Sequence, residues 1–395
     1  MATPKLRFKE FDGDWTSSDF SKASVQIIDG DRGFNYPKSD DFYDDEFCLF
    51  LNAGNVTKQG FNFENTQFIT KNKDSSLRKG KLERNDLVIT TRGTVGNVAY
   101  FNDSVSFKNM RINSGMVIAR CQKNVLVDFV NQFLNSDLFE KWLDKNAFGS
   151  AQPQLTVKLL NSIDLNYPSK PEQTKIASFL SNVDEKISQL TQKHELLNQY
   201  KQGMMQKLFS QQIRFKADDG SEFGEWGKSY IGNECRITTG NKDTQNKIDD
   251  GSYPFFVRSQ TVERINSYSM DCEAILTSGD GVGVGKNYHY VNGKFDFHQR
   301  VYCLYDFSEK LIGKYLYIYF SNYFYDRVKR LSAKNSVDSV RMDMISKMEI
   351  KLPCLEEQTK IANFLSAIDQ KIEVVAQQIE QAKQWKKGLL QQMFV

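Results

Sequence analysis

EQTKIASFLSNVDEKI, residues 172–187, returns as EQTKIANFLSAIDQKI at residues 357–372, an offset of 185. Carried on without gaps to residues 209 and 394, the two segments share 19 of 38 positions. The same offset pairs Pro168 with Pro353 and Ile163 with Met348. Further upstream LRFK at Leu6 matches IRFK at Ile213, and each is followed by a Gly/Asp-rich stretch and a tryptophan, Trp15 and Trp226; here the offset is 207. By Gly93 and Gly279 it has fallen to 186, so nearly all the length difference lies between Trp15 and Thr90 of the first copy. Surface loops vary in this way. The chain therefore reads as two copies of one unit, a variable domain followed by a helix. The boundaries are residues 1–168 and 212–353 for the domains, and 169–211 and 354–395 for the helical segments.

The repeated segment has the pattern of a coiled-coil seam. Apolar residues recur at alternating steps of four and three: Ile176, Leu180, Val183, Ile187, Leu190, then His194, Leu197, Lys201, Met204 and Leu208. Its equivalent holds Ile361, Leu365, Ile368, Ile372, Val375 and Ile379, then Ala382, Lys386, Leu389 and Met393. A 3.5-residue repeat over about five heptads demands a partner helix, and at 1.5 Å per residue each segment spans about 57 Å. The other copy is the obvious partner. Ile213 follows the first helix directly, so the second domain begins at that helix's far end, which favours antiparallel pairing. Lys201 and Lys386 share one seam position, either as a polar insertion that fixes register or as a side chain snorkelling near a helix end. Gly203 and Gly388 also correspond and suggest close backbone approach or a helix end.

Each domain reads as α+β. DLVITTRGTVGNVAYF (Asp86 to Phe101) and EAILTSGDGVGVGKNYHYV (Glu273 to Val291) both run strand, glycine-rich turn, strand. A helix with an aromatic face is expected over Asp128–Leu143 and again over Gly313–Val328. The fold class is thus α+β, with two pseudo-repeated domains separated by two long helices that form an antiparallel coiled coil.

Composition narrows the function. With 52 Lys+Arg against 49 Asp+Glu the net charge is +3, which excludes a globally basic coat and confines any nucleic-acid surface to patches. No run approaches 18 apolar residues and the first residues lack the apolar core of a signal peptide, so the expectation is a cytoplasmic protein that does not cross a membrane. Six scattered cysteines fit a reducing compartment.

Catalytic motifs are missing. GDGVGVGK (Gly279 to Lys286) has Asp280 where a phosphate loop requires glycine and Asn287 where Ser or Thr should bind Mg²⁺, so it reads as a tight turn. His194, His289 and His298 form no zinc cluster with dispersed cysteines, and the acidic run from Asp40 to Glu46 reads as a solvated loop. No metal is expected. What the domains do offer is basic and amide side chains near the glycine-rich turns. Arg and Asn or Gln read guanine and adenine edges, whereas Lys chiefly meets phosphate. The candidate DNA-binding residues are Arg78, Lys79, Arg92, Lys108, Arg111 and Asn113 in the first domain. In the second they are Lys242, Arg258, Gln260, Lys286, Gln299 and Arg300.

The duplicated EQTKIA-FLS helix starts, the Asp86-Leu-Val-Ile-Thr strand with Gly93 and Gly96, and the LRF/IRF plus Trp openings together resemble the specificity subunit of type I restriction–modification systems. The resemblance spans essentially the whole chain. It implies a non-catalytic subunit for host defence, in which two target recognition domains read the halves of a bipartite, asymmetric double-stranded DNA site and the paired helices set the gap. It further implies two modification subunits that methylate adenine, restriction subunits in the full complex, and no cofactor in this chain; S-adenosylmethionine, ATP and Mg²⁺ belong to the partners. Half-sites on one face of B-DNA lie about 34 Å apart or a multiple of it, a scale that suits a rod of about 57 Å. The other reading of the residues is a coiled-coil scaffold that presents two β-rich protein-interaction domains.

Overall fold

The computed structural model describes residues 3–147, 154–331 and 339–395. The chain forms two compact units, Met1–Gln192 with Ala376–Val395, and Lys193–Val375. The division falls inside the long helices rather than at their starts, so each unit holds one variable domain, the beginning of one helix and the end of the other.

The first unit is built on an antiparallel sheet in the order Val25–Asp29, Met116–Cys121, Asp86–Thr90, Val98–Phe101. Asp86–Thr90 is buried along its whole length because both faces of the sheet are covered. Leu87 and Ile89 face a core shared with Phe129 and Val130 of the helix Val127–Leu134. Val88 faces a second core with Met116, Ile118 and Phe101. The period-two alternation of a strand thus divides one apolar run between two cores. A smaller sheet follows, in which Cys48–Phe50 runs parallel to Met110–Arg111 and antiparallel to Phe68–Ile69. Thr16–Asp19 pairs with Asp164–Tyr167 beside the helix entry.

The second unit repeats this order strand for strand: Arg236–Thr239, Val301–Tyr305, Met270–Ser278, Tyr288–Phe297. Here one 10-residue strand, Tyr288–Phe297, covers the ground of Val98–Phe101 and Met110–Arg111. Tyr253–Phe256 therefore adds to it in parallel, and the second domain has a single six-stranded sheet. Gly227–Tyr230 pairs with Glu349–Leu352 as its entry ribbon.

One expected helix is two. Over Asp128–Leu143 the structure has Val127–Leu134 and Asp137–Asn146, whereas the matching helix Gly313–Leu331 is unbroken. The break is made by side chains that bond backward: Ser136 Oγ donates to the Phe133 carbonyl at 2.6 Å and Asn135 Nδ2 to the Asn131 carbonyl at 2.8 Å. Ser and Asn compete with the helix for backbone partners in this way.

The long helices are Lys170–Phe209 and Leu355–Met393. In the first unit Ile176, Leu180 and Val183 share a core with Leu389, Leu390 and Met393. In the second, Met205 and Leu208 share one with Ile361, Leu365 and Ile368. Start packs on end in both, so the pairing is antiparallel. The seam lysines are interhelical partners: Lys201 Nζ lies 2.5 Å from Asp369, and Lys386 Nζ lies 2.6 Å from Asp184. Of the two readings of these lysines, the geometry selects the register pair. Gly203 and Gly388 are not sites of close approach, since a Cβ at either would meet nothing within 4 Å.

Each helix start is locked to its own domain. Glu172 and Glu357 are buried, at 1% and 0% exposure. Arg7 donates to both carboxylate oxygens of Glu172 at 2.7 and 2.8 Å, and Arg214 to those of Glu357 at 3.0 and 2.7 Å. Trp226 Nε1 adds a bond to Glu357 at 2.9 Å. The next residue serves the backbone: Gln173 accepts from Leu126 N–H and donates to the carbonyls of Asn124 and Pro168. Gln358 does the same for Ile312, Lys310 and Pro353. Removing one partner of a buried charge pair costs far more than breaking a surface pair. Glu357→Ala is therefore expected to destabilise the chain by about 3 kcal/mol, against under about 0.5 kcal/mol for Lys216→Ala, whose pair with Glu222 is exposed. Urea unfolding of both variants measures the difference.

Candidate nucleic-acid interface

In the first domain the loops at one end of the main sheet converge on a buried carboxylate. Asp31, 6% exposed, follows the edge strand Val25–Asp29. Its Oδ1 accepts from Gly33 N–H at 2.6 Å, and its Oδ2 from the N–H groups of Arg78 at 2.6 Å and Lys79 at 3.3 Å. Burial pushes the Asp31 carboxyl up, but these three donors and the Arg78 charge outweigh it and hold the group below the usual carboxylate range. The close fit also explains Gly30, where a Cβ would stand 2.2 Å from the Asn113 carbonyl oxygen. Asn113 Oδ1 accepts from Gly115 N–H at 2.8 Å, and Arg92 lies against the same glycine. Arg32 donates to the Ser114 carbonyl at 3.1 Å, and Ser114 N–H donates to the Tyr36 hydroxyl at 3.3 Å. Arg78, Lys79, Arg92 and Asn113 are thus gathered at one end of the sheet, with Arg32 and Tyr36 among them.

Two candidates fall elsewhere. Arg111 is buried, and its guanidinium is spent on Asp74 at 2.7 Å and on the carbonyls of Asp74, Leu77 and Lys79. Asp74, also bound by Lys81, is pushed up by burial and brought below its usual range by the two cations. Arg111 is therefore withdrawn from the base-reading set: it is an internal pin under the loop that carries Arg78. Lys108 sits before the strand Met110–Arg111, in the segment of Phe107, and Asn113 lies beyond that strand's other end.

In the second domain the corresponding loops meet at Asp280. Its two oxygens lie 3.0 Å from Arg258 and 3.2 Å from Arg300. Asn287 Nδ2 ties the Arg258 carbonyl to the hairpin at 3.1 Å. His298 is buried; its Nδ1 accepts from Arg300 N–H at 2.9 Å, and its Nε2 faces Asp243 at 3.8 Å. Burial, then the Arg258 charge, lowers the imidazole pKa and keeps the ring neutral. Gln299 donates to Asp243 at 3.2 Å, and Lys242 lies in a bridge to His298. Lys286, in the glycine-rich turn, places its ammonium over the Tyr325 ring. That turn closes on itself, with Val284 N–H bonded to the Gly281 carbonyl and both Lys286 and Asn287 bonded to the Gly283 carbonyl. Gln260 is exposed in the segment after Arg258. A search for cations alone passes over Asp31, Asp280 and His298. Their sequence signal was present in Asp280, which spoils a phosphate loop and so has some other use.

Among the described residues no cluster of His, Cys, Asp and Glu is arranged to hold a metal ion. None of their helices is long and apolar enough to cross a membrane.

The family model described as "Type I restriction modification DNA specificity domain" matches residues 26–199 and 224–384, one match on each copy of the repeat. The chain belongs to this DNA specificity family. The MjaVIII type I restriction enzyme specificity subunit of Methanocaldococcus jannaschii is 28% identical over 311 residues, 71% of this chain and 72% of that one. The EcoDI specificity subunit of Escherichia coli is 28% identical over 163 residues, 40% of this chain and 35% of that one. In fold, the crystal structure of a type I restriction–modification S subunit from M. genitalium aligns with a TM-score of 0.68 at 15% identity, covering 100% of this chain and 99% of that one. As a type I specificity subunit the chain is the non-catalytic DNA-recognition component of its system, and its partners are DNA and the methyltransferase and restriction subunits.

The sorting of arginines can be tested. Arg111→Ala is expected to lower unfolding stability by about 3 kcal/mol. Arg92→Ala is expected to leave stability unchanged, weaken DNA binding by the assembled complex, and reduce the slope of log K against log salt by about 1 where Arg92 meets phosphate. Urea unfolding and binding titrations between 50 and 200 mM salt, over which one phosphate contact accounts for about a threefold change in affinity, give both quantities.

Proposed function

We propose that the chain reads a bipartite, asymmetric double-stranded DNA site, one half with each domain, and that the antiparallel helices set the gap between the halves. The observation that carries this is the duplication itself. The same sheet order recurs with the same helix lock, while the loops at the sheet end differ in length, sequence and charge arrangement. Arg78, Lys79, Arg92 and Asn113 around Asp31 serve one half-site; Arg258, Gln299 and Arg300 around Asp280 and His298 serve the other, with Lys242, Gln260, Lys286 and Lys108 as flanking contacts. Two modification subunits assemble on the pseudo-symmetric chain and supply adenine methylation, with S-adenosylmethionine held by them. ATP and Mg²⁺ belong to restriction subunits that complete a cytoplasmic host-defence complex.

Methylome sequencing of a host carrying this chain and its partners is expected to return one interrupted motif with unlike halves; a continuous palindrome would sink the reading. Inserting one heptad after Leu197 is expected to change the gap or abolish methylation. An unchanged motif methylated at normal efficiency contradicts the role of the helices as a spacer.

A further inference from the structure

Among the described residues two large apolar side chains stand almost wholly in solvent, Phe34 at 101% exposure and Val282 at 98%; the next, Leu196, is at 56%. Phe34 is the larger, and the loop that carries it is held on every side. Tyr36 N–H bonds to the Gly33 carbonyl at 3.0 Å, which closes a turn with Phe34 and Asn35 at its corners. Before the turn, Asp31 holds Gly33 N–H at 2.6 Å. After it, Asn35 Nδ2 donates to the Ser76 carbonyl at 3.2 Å, and the Tyr36 ring packs edge-on against Phe50 at 5.8 Å. A loop fixed this firmly around a bare phenyl ring loses little conformational freedom when that ring meets a partner.

The surroundings say which partner. Arg32 and Arg78, with 47% and 75% of their side chains exposed, lie within two residues of Phe34 and against Gly33 respectively. Their carboxylates, Asp29 and Asp31, are the less exposed members of each pair, at 28% and 7%. Arg32 also reaches the carbonyl of Ser114, beside Asn113. A bare ring on a loop flanked by two partly exposed arginines suits a stacked, polyanionic ligand better than an apolar protein pocket. In proteins that deform DNA, phenylalanine is inserted between base steps while arginines hold the backbone and groove.

We propose that Phe34 is an apolar wedge: it enters the duplex at a base step of the half-site read by the first domain, with Arg32 and Arg78 on the flanking phosphates or groove edges. This rests on the DNA-recognition reading above. Phe34 then contributes to specificity through the ease with which a step unstacks, a property that base-edge contacts do not report.

The test uses the full chain assembled with its modification subunits and duplexes that carry the methylated motif, with 2-aminopurine placed in turn at each position of both half-sites. Besides the adenines that the modification subunits methylate, which methyltransferases extrude from the stack, the wild-type complex should raise the fluorescence at one further step, in the half-site read by the first domain. Phe34→Ala should abolish that signal and weaken cognate binding by about tenfold to a hundredfold, while the salt slope, non-cognate affinity and melting temperature stay at wild-type values. Phe34→Leu should restore part of both. Wild-type affinity and fluorescence in Phe34→Ala overturn the wedge alone. A wild-type complex that fails to discriminate cognate from scrambled duplex overturns the DNA reading and the wedge together. Loss of modification subunits from Phe34→Ala in gel filtration overturns it in favour of a protein contact.

Discussion

A carboxylate buried at the first turn of each long helix is the constraint on which the rest of the structure depends. Glu172 and Glu357 sit where the positive end of the helix dipole favours an anion, and each is clamped by an arginine from the chain's RF opening. Such a pair adds little net stability over an apolar substitute, because two charges lose their water. What it adds is geometry. The arginine forks onto both carboxylate oxygens, and the neighbouring glutamine bonds to three backbone groups of its own domain, so the helix leaves the domain at a fixed angle and rotation. The repeat carries Glu and Gln at the same two positions of EQTKIA, and in both copies they make the same bonds.

Register along the seam is fixed by the same economy of means. An apolar 3.5-residue seam alone permits slips of one heptad, since each slip restores apolar contact. Lys201 with Asp369 and Lys386 with Asp184 remove that freedom, because a slip separates a lysine on the seam from its carboxylate on the facing helix. The two pairs are exchanged by the 185-residue offset, so one substitution pattern, written twice, secures both ends. The apolar residues hold the helices together, and the two polar contacts mark the register among slips that the apolar pattern would otherwise allow.

Periodic features were legible in the sequence, and features that depend on which distant residue arrives nearby were not. The seam from Ile176 to Leu190 and from Ile361 to Ile379 follows from spacing alone, as do the two hairpins. The arginines could not be sorted this way. Arg111 and Arg92 are both Arg near a glycine-rich turn, and only the arrival of Asp74, 37 residues away, turns the first inward. For Gly203 and Gly388 the reading was open between close approach and a helix end; nothing approaches either, and both lie in the last two turns of their helices. The helix break at Asn135 and Ser136 was hidden because the aromatic periodicity continues through it and only the two backward hydrogen bonds reveal the stop.

The two candidate surfaces use one scaffold with different electrostatic devices, which is the difference that the proposed reading of unlike half-sites requires of a duplicated fold. In the first domain Asp31 is buried and holds main-chain N–H groups at 2.6 to 3.3 Å, with the Arg78 guanidinium farther off at 3.8 Å, so it fixes the path of the loops and holds that arginine head only loosely. In the second, Asp280 holds the guanidinium groups of Arg258 and Arg300 themselves, and the neutral His298 fixes the Arg300 backbone beneath them. On the proposed reading, a surface of the first kind adapts to DNA at the cost of ordering long side chains, whereas one of the second kind is ordered beforehand but has to release or share a carboxylate. Selection on either surface acts on loop residues that contribute little to the two cores, because Leu87, Ile89, Ile275 and Leu304 face the helices from the far side of the same strands. The sheet can therefore remain constant while the loop residues diverge, and part of the stretch from Trp15 to Thr90 that carries the extra length is itself buried, at Val56 and Leu77, in cores apart from the one that meets the helices.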